Sequence, residues 1–199
     1  AMLRVYQSEP YVVAGCPVGP FGMNQYIVVC PKTLEAACID CGAGPAPFVA
    51  FADEASAALT RILLTHGHVD HVAGLAETRR AVAAPIHLHA AERGSYDEAP
   101  IRGAFFGLRC EQPPPPDHEL ADGETVQVGE ITFEVLHTPG HTPGHVIFFE
   151  PASRVALVGD VLFQGSIGRT DFPRGDYDQL IRSIREQLLP LGDDVTFFP

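Results

Sequence analysis

Four residues with metal-binding side chains fall within six positions in Thr65-His66-Gly67-His68-Val69-Asp70-His71. Imidazole nitrogens and a carboxylate in this mix suit Zn²⁺, Fe²⁺ or Mn²⁺. Gly67 lets the backbone turn so that His66 and His68 converge, while Asp70 and His71 fall on the first turn of the helix expected to follow. One such histidine would usually mean nothing; three with an aspartate in this spacing point to a metal rather than to a solvated loop. A second cluster is His137-Thr138-Pro139-Gly140-His141-Thr142-Pro143-Gly144-His145, in which Pro and Gly on both sides of His141 make a rigid turn that presents its imidazole. His137 and His145 read as flanking residues, either structural or supporting a ligand from behind, rather than as ligands. Asp160 lies in the apolar run Leu157-Val158-Gly159-Asp160-Val161-Leu162-Phe163, where a carboxylate has to be paired or metal-bound. Asp40 ends the run Ala36-Ala37-Cys38-Ile39-Asp40 and has two readings, orienting the ligand loop or capping a turn.

Both clusters need rigid elements behind them. Short apolar or β-branched runs at Leu3–Tyr6, Val12–Ala14, Tyr26–Cys30 and Ala36–Ile39 predict strands, split by Pro, Gly and Asn. Pro47–Leu59 and Val69–Val82 read as helices, with the buried strand Arg61–Thr65 between them leading into the first cluster. Ile86–His89 is a further strand and Ala90–Tyr96 a short helix, whereas 97–118 shows no regular pattern and reads as a cleft wall or a surface excursion. Strands resume at Thr125–Val128, Ile131–Leu136, Val146–Phe149 and Val155–Val158, followed by an amphipathic helix at Tyr177–Leu189 and a last strand at Val195–Phe198. Each half thus runs from strands to a helix, which predicts two sheets packed inside helices.

Composition narrows the function. The 199 residues are 46% hydrophobic and 19% charged, which excludes disorder and a small disulfide scaffold. The 13 Lys and Arg against 25 Asp and Glu give a net charge of −12, a poor match to nucleic acid or an anionic membrane surface. No apolar run is long enough to span a bilayer, and the N-terminal residues lack the apolar core of a secretory signal. Ala1 ahead of Met2 reads as a residue left by expression. The five cysteines are odd in number and lack framework spacing, so a reduced, cytoplasmic protein is expected. Cys38-x-x-Cys41 has no second pair to complete a zinc site and reads as core at a strand end.

These residues resemble the metallo-β-lactamase superfamily over nearly the whole chain, through the His-x-His-x-Asp-His motif at 66–71, His141 and Asp160. The resemblance implies an α/β fold, a four-layer αββα sandwich with the site at one edge between the sheets. It implies one metal site from His66, His68 and His141 and another from Asp70 and His71, with Asp160 bridging them. The family adds a further His to the second site from a turn near the C-terminus, and no His follows Asp160 here. Residues 1–199 are accordingly read as a single domain lacking a last C-terminal segment. Thr-Pro-Gly-His at 138–141, Gly159-Asp160 and Gly165-Ser166-Ile167-Gly168-Arg169-Thr170-Asp171-Phe172 look most like short bacterial hydrolases of the glyoxalase II, or hydroxyacylglutathione hydrolase, type.

The resemblance implies a metal-dependent hydrolase that cleaves a small glutathione-type thioester such as S-lactoylglutathione with a metal-bound hydroxide. Two divalent cations, zinc first with iron or manganese as alternatives, lower the pKa of water toward about 7. His66, Asp70 and Asp160 carry the chemistry in this reading, Asp70 orienting the hydroxide, with Asp40 and His137 supporting the ligands. Arg169 either contacts a glutathione carboxylate or pairs with Asp171. Two alternatives stay open: a mononuclear iron persulfide dioxygenase using His66, His141 and Asp160, and a metal-binding fold without activity. The expected partner is a small-molecule thioester, with no nucleic acid and no membrane; the oligomeric state is open.

Overall fold

The structure, a computed structural model, describes residues 2–199; Ala1 and its reading lie outside them. The first half of the chain runs β1 (Arg4–Gln7), β2 (Val12–Val18), β3 (Met23–Val29), β4 (Glu35–Ile39), α1 (Ala46–Glu54), β5 (Ala58–Leu63), α2 (Val69–Val72), α3 (Leu75–Ala81) and β6 (Ile86–His89). A 3-10 turn at Ala90–Glu92 leads into α4 (Arg93–Asp97), α5 (Ala99–Phe105) and β7 (His118–Leu120). The second half holds β8 (Thr125–Val128), β9 (Ile131–His137), β10 (Val146–Glu150), β11 (Val155–Leu157), the short pair β12 (Leu162–Phe163) and β13 (Ser166–Ile167), α6 (Tyr177–Ser183) and β14 (Thr196–Phe198).

Strands that are apolar at successive positions need cover on both faces, and the fold supplies it. β1 to β7 form one sheet in sequence order, antiparallel as far as β4 and parallel from β4 to β7. The second sheet has the order β14-β11-β10-β9-β8, with β14 parallel to β11. Alternation along the strands sorts most buried side chains of the described residues into three large clusters, beside a small one at Cys16, Val18 and Met23. Val28, Leu63, Phe133, Val146 and Phe148 meet between the sheets. Ile27, Val29, Ile62 and Leu64 face outward under Phe48, Val72 and Leu75 of the first sheet's helices. Ile147 and Phe149 face the other way, under Leu180 and Ile184 at α6. The result is the expected αββα sandwich. Among the described residues, no helix is long and apolar enough to cross a membrane.

Three expectations are corrected. The helix read as Pro47–Leu59 ends at Glu54, because Ser56 takes a left-handed φ of 53° and β5 already begins at Ala58. The helix read as Val69–Val82 is broken into α2 and α3 at Gly74. There the main chain docks on the 41–43 loop: Gly74 N–H donates to Cys41 O at 2.8 Å, and a Cβ would stand 1.9 Å from Ala43 O. The segment 97–118 is not irregular throughout, since Ala99–Phe105 forms α5 with a proline in its first turn. All five cysteines are free, and Cys38 and Cys41 are fully buried in the core beneath the first sheet's helices.

Candidate metal centre

The ends of β4, β5, β9 and β11 deliver their loops to one edge of the sandwich, where Val146 N–H donates to Thr65 O and ties the two sheets together. Asp40 is the buried anchor of this edge. Its Oδ1 accepts Thr65 N–H and its Oδ2 accepts Thr65 Oγ1–H, each at 2.8 Å, and Oδ2 also accepts His71 Nδ1–H at 2.8 Å. Because the Thr65 hydroxyl gives its hydrogen to Asp40, it accepts from His66 Nδ1–H, 3.0 Å away. His141 donates Nδ1–H to Arg169 O at 2.7 Å. In their neutral form the three imidazoles thus share one tautomer, with Nε2 carrying the lone pair.

Those three Nε2 atoms, of His66, His71 and His141, are buried with no hydrogen-bond partner among the described residues. They do not diverge. One ligand atom each from His66, His68 and His141 lies within 4.8 Å of the others, and the same holds for His66, His71 and Asp160. Asp160 stands between the groups, Oδ1 3.2 Å from His71 Nε2 and Oδ2 3.4 Å from His141 Nε2, and Asp70 Oδ2 is 3.8 Å from His71 Nε2. Buried acceptors without donors are costly to leave unmatched. Lone pairs converging beside two carboxylates fit divalent cations, and the donor set of nitrogen and oxygen suits zinc, iron or manganese.

The electrostatics agree with neutral imidazoles and an ionised aspartate. Burial, then the neighbouring His71 and His68, drives the His66 pKa well below its usual value. Burial followed by His141 pushes that of His68 down to about 3. Burial would raise the Asp160 carboxyl, but His71 and His141 hold it well below the usual carboxylate range. His71 is the exception: burial opposes its protonation, yet Asp160, Asp40 and Asp70 outweigh burial and raise its pKa.

The structure brings His66, His68, Asp70, His71, His141 and Asp160 together and puts Asp40 directly behind His71 and Thr65. His137 is not joined to the cluster. Its Nε2 reaches Pro143 O at 2.9 Å and its ring stacks on His89, because it ends β9 pointing along the turn rather than into the edge. The supporting histidine is His145, fully buried, which accepts the Asp160 N–H on Nε2 at 3.1 Å and stacks on His66 at 4.9 Å. Its Nε2 is therefore occupied by main chain, which separates it from the three open imidazoles. Arg169 acts on the cluster through its carbonyl; its guanidinium makes two 2.6 Å contacts to Asp171 and lies over the Phe172 ring.

Above the cluster opens a cavity of about 500 Å³ lined by His68, Asp70, His71, His141 and Asp160 at its floor. Its mouth carries Phe21, Phe106 and Phe172 together with Arg102, Arg169 and Arg174. Of the two readings of 97–118, the cleft wall is the one that agrees with Arg102 and Phe106 lining the cavity, although the sequence, lacking a clear period there, singled out neither residue for that role. Sequence reasoning also missed Glu92, whose only sequence signal is an acid in a short Ala-rich stretch.

Comparison with known proteins gives the same picture. The model of the metallo-beta-lactamase superfamily matches residues 18–199. The chain is 43% identical over 181 residues to the hydroxyacylglutathione hydrolase GloC of Haemophilus influenzae, covering 90% of this chain and 85% of that protein. Among solved structures it is similar to the BLEG-1 B3 metallo-beta-lactamase, at 34% identity, a TM-score of 0.85, and 93% and 89% of the two chains covered. It is also similar to TTHA1623 in a di-iron-bound form, at 34% identity and a TM-score of 0.84, with 93% and 90% covered.

Proposed function

Because the chain belongs to the metallo-beta-lactamase superfamily, we propose that it is a metal-dependent hydrolase of small thioesters carried on a glutathione-type thiol. The observation that carries this reading is the set of three buried, unpartnered Nε2 atoms facing Asp160 at the floor of a cavity with a mixed aromatic and cationic mouth. His66, His68 and His141 with Asp160 would hold one divalent cation, and Asp70 and His71 with the same Asp160 a second. Bound there, the cations supply Lewis acidity, polarising a carbonyl and acidifying water toward a pKa of about 7.

The chain's own residues do the rest. Asp70, on the first turn of α2 and lining the cavity, accepts a hydrogen bond from the attacking water and orients it toward the carbonyl carbon. Water adds to that carbon, the C–S bond breaks, and a carboxylic acid and a free thiol leave. A thiol ionises near pH 8.5, so the departing sulfur needs no separate strong acid. The aromatic side chains at the mouth cover the apolar part of the substrate, while Arg102, Arg169 and Arg174 offer charge to carboxylates of the thiol carrier. The 43% identical relative carries the name of a hydroxyacylglutathione hydrolase, in keeping with this choice.

Metal-replete protein is expected to release free thiol from S-lactoylglutathione, followed with a thiol reagent. A protein that instead opens a β-lactam, or takes up dioxygen with glutathione persulfide, and leaves the thioester intact would overturn the reading.

A further inference from the structure

We propose that Glu92 is a positioning residue that sets the distance between the two ligand-bearing loops. It closes the 3-10 turn after β6 and is fully buried. Its Oε2 accepts Gly67 N–H at 2.7 Å, and its Oε1 accepts Gly144 N–H at 2.7 Å. Gly67 lies between His66 and His68, and Gly144 lies between His141 and His145. One carboxylate therefore spans the loop that carries the first imidazoles and the turn that carries the last. Among the described residues no other side chain hydrogen-bonds to the main chain of both.

Both contacts require the backbone itself to approach Glu92. A Cβ at Gly67 would stand 3.2 Å from Oε2, and one at Gly144 would stand 2.9 Å from Glu92 Cγ and 2.8 Å from His89 Nδ1. The two glycines thus have a packing reason that local turn geometry does not supply. Glu92 has no basic partner among the ion pairs of the described residues, so the two amides are its compensation for burial. A buried carboxylate held only by the loops it bridges fixes them as firmly as they satisfy it. Ligand atoms that must converge to within a few ångströms leave little slack, and partners behind the ligands typically matter 10- to 100-fold for metal affinity.

This inference rests on the metal-binding part of the proposed function and not on the thioester. Glu92→Gln keeps the side-chain volume but leaves one acceptor; the amide nitrogen then faces one of the two N–H groups, donor against donor. In Glu92→Gln a 10- to 100-fold loss of cobalt(II) affinity is expected, with an altered visible spectrum at full loading. Far-UV circular dichroism of the metal-free protein is expected to stay as in the wild type. Amide exchange at Gly67 or Gly144 is expected to accelerate in the metal-free variant. Should Glu92→Gln not fold, Glu92→Asp, one methylene shorter and able to hold a single loop, carries the same measurements. Wild-type cobalt affinity and spectrum in the folded variant would overturn the proposal. A wild-type protein that binds cobalt but cleaves no thioester defeats only the substrate reading. If it takes up no cobalt, amide exchange decides: protection at both glycines, lost in the variant, supports the clamp, and its absence in the wild type overturns it.

Discussion

At the floor of the cavity each open imidazole is held by a hydrogen bond to a group already fixed in the fold: His71 by Asp40, His66 by Thr65, His141 by the Arg169 carbonyl. At the mouth, the charges answer to one another at the surface. Glu98 pairs with Arg102 at 3.2 Å and with Arg174 at 3.3 Å, and Asp171 pairs with Arg169, all on substantially exposed side chains. Ion pairs of that kind contribute little and are screened, whereas hydrogen bonds buried behind a ligand have no water to replace them. The floor is therefore built to hold its side chains in place, and the mouth has more freedom to rearrange. Substitutions in the two regions should accordingly fail in different ways.

The largest effect is expected from removing a floor ligand. His66→Ala or Asp160→Ala should lower kcat/KM for the thioester by more than about 100-fold, beyond what loss of a supporting partner causes, with metal content falling in parallel. Residual turnover near wild type in either variant would detach the cluster from catalysis. Asp40→Asn comes next. The amide accepts too few of the three hydrogen bonds that Asp40 now takes, so metal affinity should fall about 10- to 100-fold while the fold survives.

Acidity should act on the same region. His71 has its pKa raised in the metal-free protein by the carboxylates around it, so below that value it carries a proton that a cation has to displace. Metal affinity is expected to weaken by about tenfold per pH unit on acidification, one proton being released per binding event, and to level off above the His71 pKa. Isothermal titration in buffers of differing ionisation heat counts that proton. The smallest effects belong to the mouth: Arg102→Ala and Arg174→Ala should each raise KM about two- to fivefold and leave kcat unchanged, as for an exposed charge contact made equally in the ground and transition states. A large fall in kcat there would erase the distinction between mouth and floor.

How much of this was legible in the sequence follows the same division. The candidate ligands were readable because they fall in local patterns, His66 to His71 in one run after a strand and His141 between Pro-Gly pairs. The four layers were readable from the order of elements, strands and then a helix in each half. Long-range polar contacts were not. Glu92 bonds to residues 25 positions before it and 52 after it, and nothing in Ala90-Ala91-Glu92 distinguishes such an acid from a solvated one. His137 and His145 flank the same turn, and only the direction of each ring decides that His145 supports Asp160 while His137 meets Pro143. α5 was hidden because a helix of seven residues with Pro100 and Gly103 has too little period to register.

The measurement closest to the centre of these conclusions is a metal titration of the metal-free protein followed by elemental analysis after desalting. Two divalent ions retained per chain, reduced in His66→Ala and Asp160→Ala, are the expected result. A wild-type chain that retains none would contradict the assignment of the converging imidazoles and Asp160 to a metal centre.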